Sequence, residues 1–294
     1  VVPKHKGTDK LRADLRKRLS KFKNAAQAKK GPSRKESPYR IDKEGAGQVI
    51  IAGGPNAGKS SLLEALTNAQ IEVADFPYST WSPTPGMMLF KDINIQLIDT
   101  PPLSREYVEP EMMDLIRRSD LLVLMIDLKT SPLVHFEESL AILEESRIAP
   151  ACFKERYEQN ARMTFVSFFL IANKNENADT EENLAIFKEL IGEDWPVTSI
   201  SIKTGHNMEL FKKTVFEKLN IIRVYSKTPG KKADMHVPFV LPKGGTVEDF
   251  AEKVHQDFVE NLKTARVWGQ SVYDGQMVQR NYKLHDGDVV ELQA

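Results

Sequence analysis

Gly53-Gly54-Pro55-Asn56-Ala57-Gly58-Lys59-Ser60 fits the pattern G-x-x-x-x-G-K-[ST] and decides the fold of the surrounding chain. The apolar run 49–52 before it predicts a buried strand, and residues 61–66 predict a helix. Strand, glycine loop and helix N-terminus place backbone N–H groups around a phosphate. Lys59 supplies a cation and Ser60 a hydroxyl for Mg²⁺. The predicted nucleotide contacts of this loop are Gly53, Pro55, Asn56, Ala57, Gly58, Lys59, Ser60 and Ser61.

Composition limits the class of protein. The chain has 294 residues, of which 41% are hydrophobic and 28% charged, as expected for a soluble globular protein with one large or two smaller domains. The formal charge is zero, yet residues 1–45 hold 15 Lys or Arg against 5 Asp or Glu. The single cysteine, Cys152, forms no internal disulfide and predicts a cytoplasmic protein. The apolar runs are too short to span a bilayer, so we expect no membrane partner.

The basic N-terminal segment is predicted to be an arm, comprising a helix at 8–28 and a linker at 31–38, within residues 1–46. Leu11, Leu15, Leu19 and Phe22 form one stripe of the helix, with Lys and Arg around it. Two interpretations stay open. The basic face binds RNA phosphates, or the leucine stripe docks on the body and the charges stay in water.

Residues 47–220 predict an α/β domain, a P-loop NTPase fold with a mainly parallel sheet and helices on both faces. Strands are expected at 93–99, 121–126 and 163–172, and helices around 136–145, 181–191 and 208–219. The loops after the carboxyl ends of such strands form the binding site. Gly53, Asp99, Asn173 and Ser201 all fall there.

Residues 221–294 predict a small α+β module. Strands are expected at 221–226, 238–241, 265–268, 276–278 and 289–292. Thr246 and Asp249 have the spacing of a capping box that opens one helix, with Val247, Phe250, Val254, Phe258 and Leu262 on its inner face.

Two further motifs indicate the nucleotide. Asn173-Lys174-Asn175-Glu176 resembles the N-K-x-D guanine motif of GTPases, and Ser201-Ile202-Lys203-Thr204-Gly205 resembles their S-A-K-x-G motif. The resemblance implies that Asn173, Lys174, Glu176, Ser201, Ile202 and Lys203 bind guanine. Glu176 replaces the usual Asp, which keeps the charge but adds a methylene. We expect a weakened guanine preference, and the hypothesis that ATP also binds stays open.

Residues 75–80, followed by Pro83 and Gly86, resemble the switch I of Obg-related GTPases, which makes Thr80 the sensor of Mg²⁺ and γ-phosphate. Asp99-Thr100-Pro101-Pro102 resembles the D-x-x-G motif of switch II, in which Asp99 holds Mg²⁺ through water. The C-terminal module resembles a TGS domain, which has a β-grasp fold.

Together these motifs resemble the Obg superfamily, in its DRG-like, TGS-bearing branch. The resemblance implies GTP and GDP as ligands, slow Mg²⁺-dependent hydrolysis of GTP to GDP and phosphate, and contact with RNA or the ribosome through the arm and the TGS module.

The chain departs from the family pattern at switch II. Pro102 has no N–H to give to the γ-phosphate, and Leu103 stands where Ras-like GTPases have the glutamine that orients water. Asn56 resembles the potassium-binding asparagine of cation-activated GTPases, so the predicted catalytic residues are Lys59, Thr80 and Asn56. The alternative for Asn56 is a role in loop shape. The alternative function is a nucleotide-gated RNA or ribosome adaptor in which hydrolysis is vestigial.

Overall fold

The computed structural model describes residues 37–67, 82–106, 108–157 and 162–293. The predicted helix at 8–28 and the switch I candidate at 75–80, with Thr80, lie outside these ranges. The chain divides into two compact units, Val1–Arg40 and Ile41–Ala294. Of the first unit the described residues are 37–40, which form a turn closed by an Arg40 N–H to Ser37 O bond of 2.9 Å.

Thirteen strands are described in chain order: β1 Gln48–Gly53, β2 Thr84–Phe90, β3 Ile93–Asp99, β4 Leu121–Asp127, β5 Ile148–Pro150, β6 Thr164–Val166, β7 Phe168–Asn173, β8 Val197–Ser199, β9 Ile221–Ser226, β10 Phe239–Pro242, β11 Thr264–Trp268, β12 Gln276–Val278 and β13 Asp288–Gln293. The described α-helices are α1 Lys59–Leu66, α2 Pro110–Arg118, α3 Pro132–Glu145, α4 Ala178–Ile191, α5 Met208–Leu219, α6 Val247–Val254 and α7 Gln256–Asn261, with a 3₁₀ segment at Ala151–Tyr157.

The main sheet has six strands in the order β2-β3-β1-β4-β7-β8, and every neighbouring pair except β2–β3 is parallel. This confirms the predicted mainly parallel α/β fold. The strands β1 and β4 are buried along their whole length because the sheet is covered on both faces. Strand β2 escaped prediction, since Pro85 and Gly86 are typical of loops; it lies at the sheet edge, where proline is tolerated.

The prediction of one strand over 163–172 is wrong. The segment breaks at Ser167 into β6, which pairs with β5 in a separate two-stranded sheet, and β7, which pairs with β4 in the main sheet. The Ser167 carbonyl accepts from the Leu122 N–H at 2.9 Å. A continuous apolar run indicates a strand, but it does not indicate that two different partners divide it.

The C-terminal module folds as a five-stranded sheet in the order β10-β9-β13-β11-β12, with α6 packed on its inner face. Val247, Phe250 and Leu262 are fully buried there. The capping box between Thr246 and Asp249 is present. The prediction of a single helix is wrong, because His255 is extended, at φ −171° and ψ 145°, and separates α6 from α7. Helical spacing alone does not reveal this break.

The buried side chain of Arg223 joins the C-terminal module to the α/β domain that carries the main sheet. We call its set of contacts the arginine clamp. Arg223 on β9 donates to Asp286 through Nε at 3.0 Å and Nη2 at 2.9 Å, and to Asp92 through Nη1 at 2.6 Å. The Tyr225 hydroxyl also donates to Asp92. Asp92 lies in the turn between β2 and β3, and β3 ends at Asp99. The clamp therefore fastens the C-terminal module to the far end of the hairpin that carries Asp99.

Within the part of the chain that the structure describes, no helix is long and apolar enough to cross a bilayer. Cys152 is exposed, with a free thiol.

Candidate GTP-binding site

The phosphate loop follows β1 directly and leads into α1. Gly53 has φ +151°, and a Cβ there would lie 2.3 Å from the Met125 carbonyl oxygen on β4. Gly58, with φ +101°, comes immediately before Lys59, the first residue of α1. The sequence needs glycine at both positions, because one is pressed against a neighbouring strand and the other is left-handed. The loop and the helix N-terminus thus form the predicted phosphate cradle.

Lys59 is buried beneath this loop. Its Nζ donates to the carbonyl oxygens of Gly53 at 3.2 Å and Gly54 at 2.9 Å. Burial lowers the pKa of Lys59 to about 8, although the nearby Asp99 carboxylate opposes this shift. An ammonium group that is poorly solvated and held by two neutral carbonyls gains from a phosphate anion. Lys59 is therefore placed to neutralise phosphate charge.

Asp99 and Ser60 form the candidate Mg²⁺ site. Ser60 Oγ donates to Asp99 Oδ2 at 2.5 Å. Asp99 Oδ1 is buried and has no hydrogen-bond partner among the described residues. Burial raises the pKa of Asp99, against the opposing effects of Lys59 and the Ser60 hydrogen bond. An unpaired, buried carboxylate oxygen beside a hydroxyl fits a hard cation that prefers oxygen ligands. Thr80, the third predicted ligand, lies outside the described residues.

The first residues of switch II are fastened to the core and the phosphate loop. The Thr100 hydroxyl donates to Ile51 O at 2.9 Å, and the Leu103 N–H donates to Gly53 O at 3.0 Å. Pro101 and Pro102 have no N–H. Residues 101 and 102 therefore offer no backbone N–H to a ligand, and the N–H of Leu103 is already bonded to a protein carbonyl. The Leu103 side chain is buried.

The predicted base loop touches the phosphate loop through two side chains. Asn173 Nδ2 donates to Ala57 O at 2.9 Å, and Asn173 Oδ1 is buried without a hydrogen-bond partner among the described residues. Lys174 Nζ donates to Asn56 O at 2.8 Å and to Asp127 Oδ2 at 2.6 Å. The structure therefore brings the predicted base and phosphate residues into one site.

Glu176, the last residue of the first base motif, lies beside two lysines. Lys129 Nζ contacts its Oε2 at 2.8 Å and Lys203 Nζ lies 3.7 Å from the same oxygen. The hydrogen bond from Lys129 lowers the pKa of Glu176, so the carboxylate is ionised at neutral pH.

The second base motif follows β8. Ser201 is fully buried and its Oγ accepts from the Thr204 N–H at 3.2 Å. Ile202 packs against the main core and Lys203 is exposed. The Asn175 N–H donates to Ile200 O at 3.2 Å, which joins the two base motifs.

Comparison with known proteins agrees with this geometry. Residues 48–174 match the family model described as a 50S ribosome-binding GTPase, and residues 222–294 match the TGS domain. An uncharacterised GTP-binding protein of Methanocaldococcus jannaschii is 30% identical over 351 aligned positions, covering 99% of this chain and 89% of the relative. Developmentally-regulated G-protein 1 of Arabidopsis thaliana is 26% identical, covering 98% of this chain and 87% of the relative. The chain belongs to the DRG-like, TGS-bearing branch of the Obg superfamily.

Solved structures share the fold of this DRG-like protein. The YchF GTPase of Schizosaccharomyces pombe has a TM-score of 0.60 at 12% identity, covering 86% of this chain and 99% of that one. A GTP-binding protein of Pyrococcus horikoshii has a TM-score of 0.52 at 14% identity, covering 84% of this chain and 99% of that one.

The M. jannaschii relative contains segments that this chain lacks. Their alignment has 351 positions, whereas this chain has 294 residues, so at least 57 aligned positions are occupied in the relative alone.

Two residues of this DRG-like site were missed from sequence. Asp127 ends β4 and lies beside Asn173 in the parallel register of β4 and β7. An acidic residue at the carboxyl end of a buried strand, next to the strand that carries the base motif, was the available signal. Lys129, which contacts Glu176, carried no signal, because its role depends on how two loops meet.

Proposed function

We propose that this DRG-like protein hydrolyses GTP to GDP and phosphate by in-line attack of water, in a Mg²⁺-dependent reaction. The observation that carries the proposal is the pair formed by the buried Lys59 and the buried Asp99 carboxylate, placed at the N-terminus of α1. We divide the chain functionally into a basic arm at 1–46, a GTP-binding domain at 47–220 and a TGS domain at 221–294. We place the activity in the cytoplasm.

The roles follow from the chemistry of each group. Lys59 and the backbone N–H groups of the phosphate loop bind the β- and γ-phosphates. Ser60 and Thr80 would ligate Mg²⁺ and Asp99 would hold it through water; the bound ion neutralises charge on the phosphate oxygens. The base would be bound by Asn173, Lys174, Glu176, Ser201, Ile202 and Lys203.

Intrinsic turnover should be slow. Leu103 cannot orient the attacking water, and its N–H is bonded to the Gly53 carbonyl. Pro102 contributes no donor. Single-turnover hydrolysis of GTP with Mg²⁺, and with the chelator EDTA in its place, tests the proposal. We expect slow, Mg²⁺-dependent release of phosphate. Retention of GTP in both conditions would favour the adaptor function instead.

Potassium is proposed as the source of additional charge stabilisation. The Asn56 side chain is exposed and makes no hydrogen bond to the described residues, so it is available for an ion. The backbone there is left-handed, at φ 56°, which asparagine tolerates and which keeps the loop-shape role as the competing explanation. The test compares hydrolysis in potassium and sodium for wild type and N56A. Equal rates in both salts would remove the potassium role.

Contact with RNA or the ribosome is the second proposed function. On the outer face of the TGS sheet Arg266 lies opposite Met277, and Tyr273, in the loop between β11 and β12, is 86% exposed. Lys227 Nζ lies 4.3 Å from the Trp268 ring centroid. The Trp268 ring is only partly exposed and Lys227 is ion-paired with Glu291, so the exposed Tyr273 ring and the exposed Arg266 are the groups that suit base stacking and phosphate contact.

Ribosome co-sedimentation with a non-hydrolysable GTP analogue, with GDP and without nucleotide, at two salt concentrations, tests this second function. We expect pelleting that the GTP analogue favours and salt weakens, and that is reduced in Y273A/R266A. Absence of pelleting in every state would contradict it and leave the GTPase proposal standing.

A further inference from the structure

The base-selecting carboxylate of this protein has one more rotatable bond than the aspartate of the N-K-x-D motif. A longer side chain samples more positions, and fixing it when guanine binds costs conformational entropy. Some other group must hold the Glu176 carboxylate in place if the site is to select guanine efficiently.

Lys129 is the described residue that contacts it most closely. Lys129 Nζ lies 2.8 Å from Glu176 Oε2, while the Lys203 Nζ lies 3.7 Å away. The Glu176 side chain is 15% exposed, against 43% for Lys129 and 78% for Lys203. The closer and less exposed lysine makes the stronger contact.

Both ends of this contact are held by their backbones. The Lys129 N–H donates to Asp127 Oδ1 at 2.9 Å, and the preceding residue, Leu128, is fully buried. The Glu176 N–H donates to Thr180 Oγ1 at 2.9 Å, next to the capping box of α4. The backbones of both residues are therefore fixed by hydrogen bonds. Only the side-chain torsions of Lys129 and Glu176 remain to be fixed when the two groups pair.

We propose that Lys129 is a specificity-determining positioning residue for guanine, which holds the Glu176 carboxylate where the shorter aspartate would stand. This inference rests on the proposed assignment of Glu176 to the base. Lys129 contacts Oε2 and leaves Oε1 without a partner among the described residues, so the carboxylate still accepts from guanine N1–H and N2–H. Lys129 acts by lowering the entropy lost on binding, rather than by touching the base.

The test is a double-mutant cycle of K129M and E176D, read as the affinities of GDP and ADP in competition with a fluorescent GDP analogue. In the wild-type background K129M should weaken GDP binding about five- to tenfold, the effect of one unfixed long side chain. ADP binding should stay unchanged, because adenine makes no bond to the carboxylate. In the E176D background K129M should change GDP affinity less than about twofold, because the short side chain needs no support.

The matched control is K212M. Lys212 pairs with Glu209 at 2.7 Å on α5, an ion pair of the same length outside the candidate site, and its loss should leave both affinities unchanged. Equal losses of GDP affinity from K129M in the two backgrounds would overturn the inference, as would no loss in wild type when E176A does lower the preference for GDP. If E176A leaves that preference unchanged, the assignment of Glu176 to the base fails, and the inference fails with it.

Discussion

The phosphate end and the base end of the candidate site are formed by different kinds of chemical group. At the phosphate end the contacts come from backbone groups, from two tightly placed glycines and from a lysine that is buried beneath the loop. At the base end they come from side chains of separate loops, and Glu176, the proposed selecting carboxylate, is paired with the partly exposed Lys129. We therefore expect phosphate binding to depend on chain geometry that few substitutions preserve, and base selection to depend on contacts that single substitutions can adjust.

The two ends meet at one crowded point. Asn173 Nδ2 reaches from the base loop to the Ala57 carbonyl, and a Cβ on Gly58 would lie 2.4 Å from that nitrogen. A change in the phosphate loop is therefore transmitted to the base loop, while the outer part of the base loop can change alone.

Substitution of Lys59 should produce the largest effect. K59M keeps the length of the side chain but removes the charge, and we expect single-turnover hydrolysis to fall about 10²- to 10³-fold, as for other donors aimed at developing charge. The measurement is phosphate release with saturating GTP and Mg²⁺. The exposed Lys213 provides the control, since K213M should retain the wild-type rate. A K59M rate within threefold of wild type would show that the phosphate end does not depend on this lysine.

A comparison of two glycines should separate crowding from backbone strain. Gly58 and Gly205 both have positive φ, but a Cβ on Gly205 meets nothing within 4 Å. We expect G205A to lower the free energy of unfolding by about 1–2 kcal/mol, the cost of a left-handed residue with a side chain. G58A should cost about 3 kcal/mol or more, because strain and the clash with Asn173 add. Urea unfolding of the ligand-free proteins measures both; equal losses would refute the crowding.

The smallest expected effect is the change in GDP affinity with pH that follows from the titration of Lys59. The group is half neutral near pH 8 in the ligand-free protein, whereas a bound phosphate favours its charged form. GDP binding at pH 8.5 should therefore take up about three quarters of a proton, and almost none at pH 7. Affinity should fall about fourfold between these pH values. Calorimetry in buffers of different ionisation enthalpy measures the uptake; equal uptake at both pH values would contradict the assignment to Lys59.

Sequence was most informative where local chemistry fixes the backbone. The glycines and Lys59 of the phosphate loop could be placed from spacing alone, and the capping box at Thr246 was found because it involves neighbouring residues. The mainly parallel character of the sheet, though not the order of its strands, followed from the alternation of strands and helices.

Sequence was least informative where tertiary pairing decides. The division of 163–172 between two sheets depends on strands elsewhere in the chain, and the extended backbone of His255 has no signal in the helical spacing around it. Lys129 and Glu176 are 47 residues apart, and no local pattern joins them. At the base end, the sequence therefore predicted which residues form the motif, but it did not predict which side chains contact each other.

The arginine clamp has a consequence for the order in which the protein is made. Asp92 is synthesised 131 residues before Arg223, and Asp286 is synthesised 63 residues after it. A domain folds during synthesis once its own residues have emerged from the ribosome. Arg223 follows the last helix of the α/β domain, which ends at Leu219, by four residues, so it is available to Asp92 as soon as that domain has emerged. The turn that carries Asp286 arrives only 63 residues later. In a growing chain the arginine therefore has its first carboxylate partner before its second one exists, and the clamp is complete only when the C-terminal module is nearly finished.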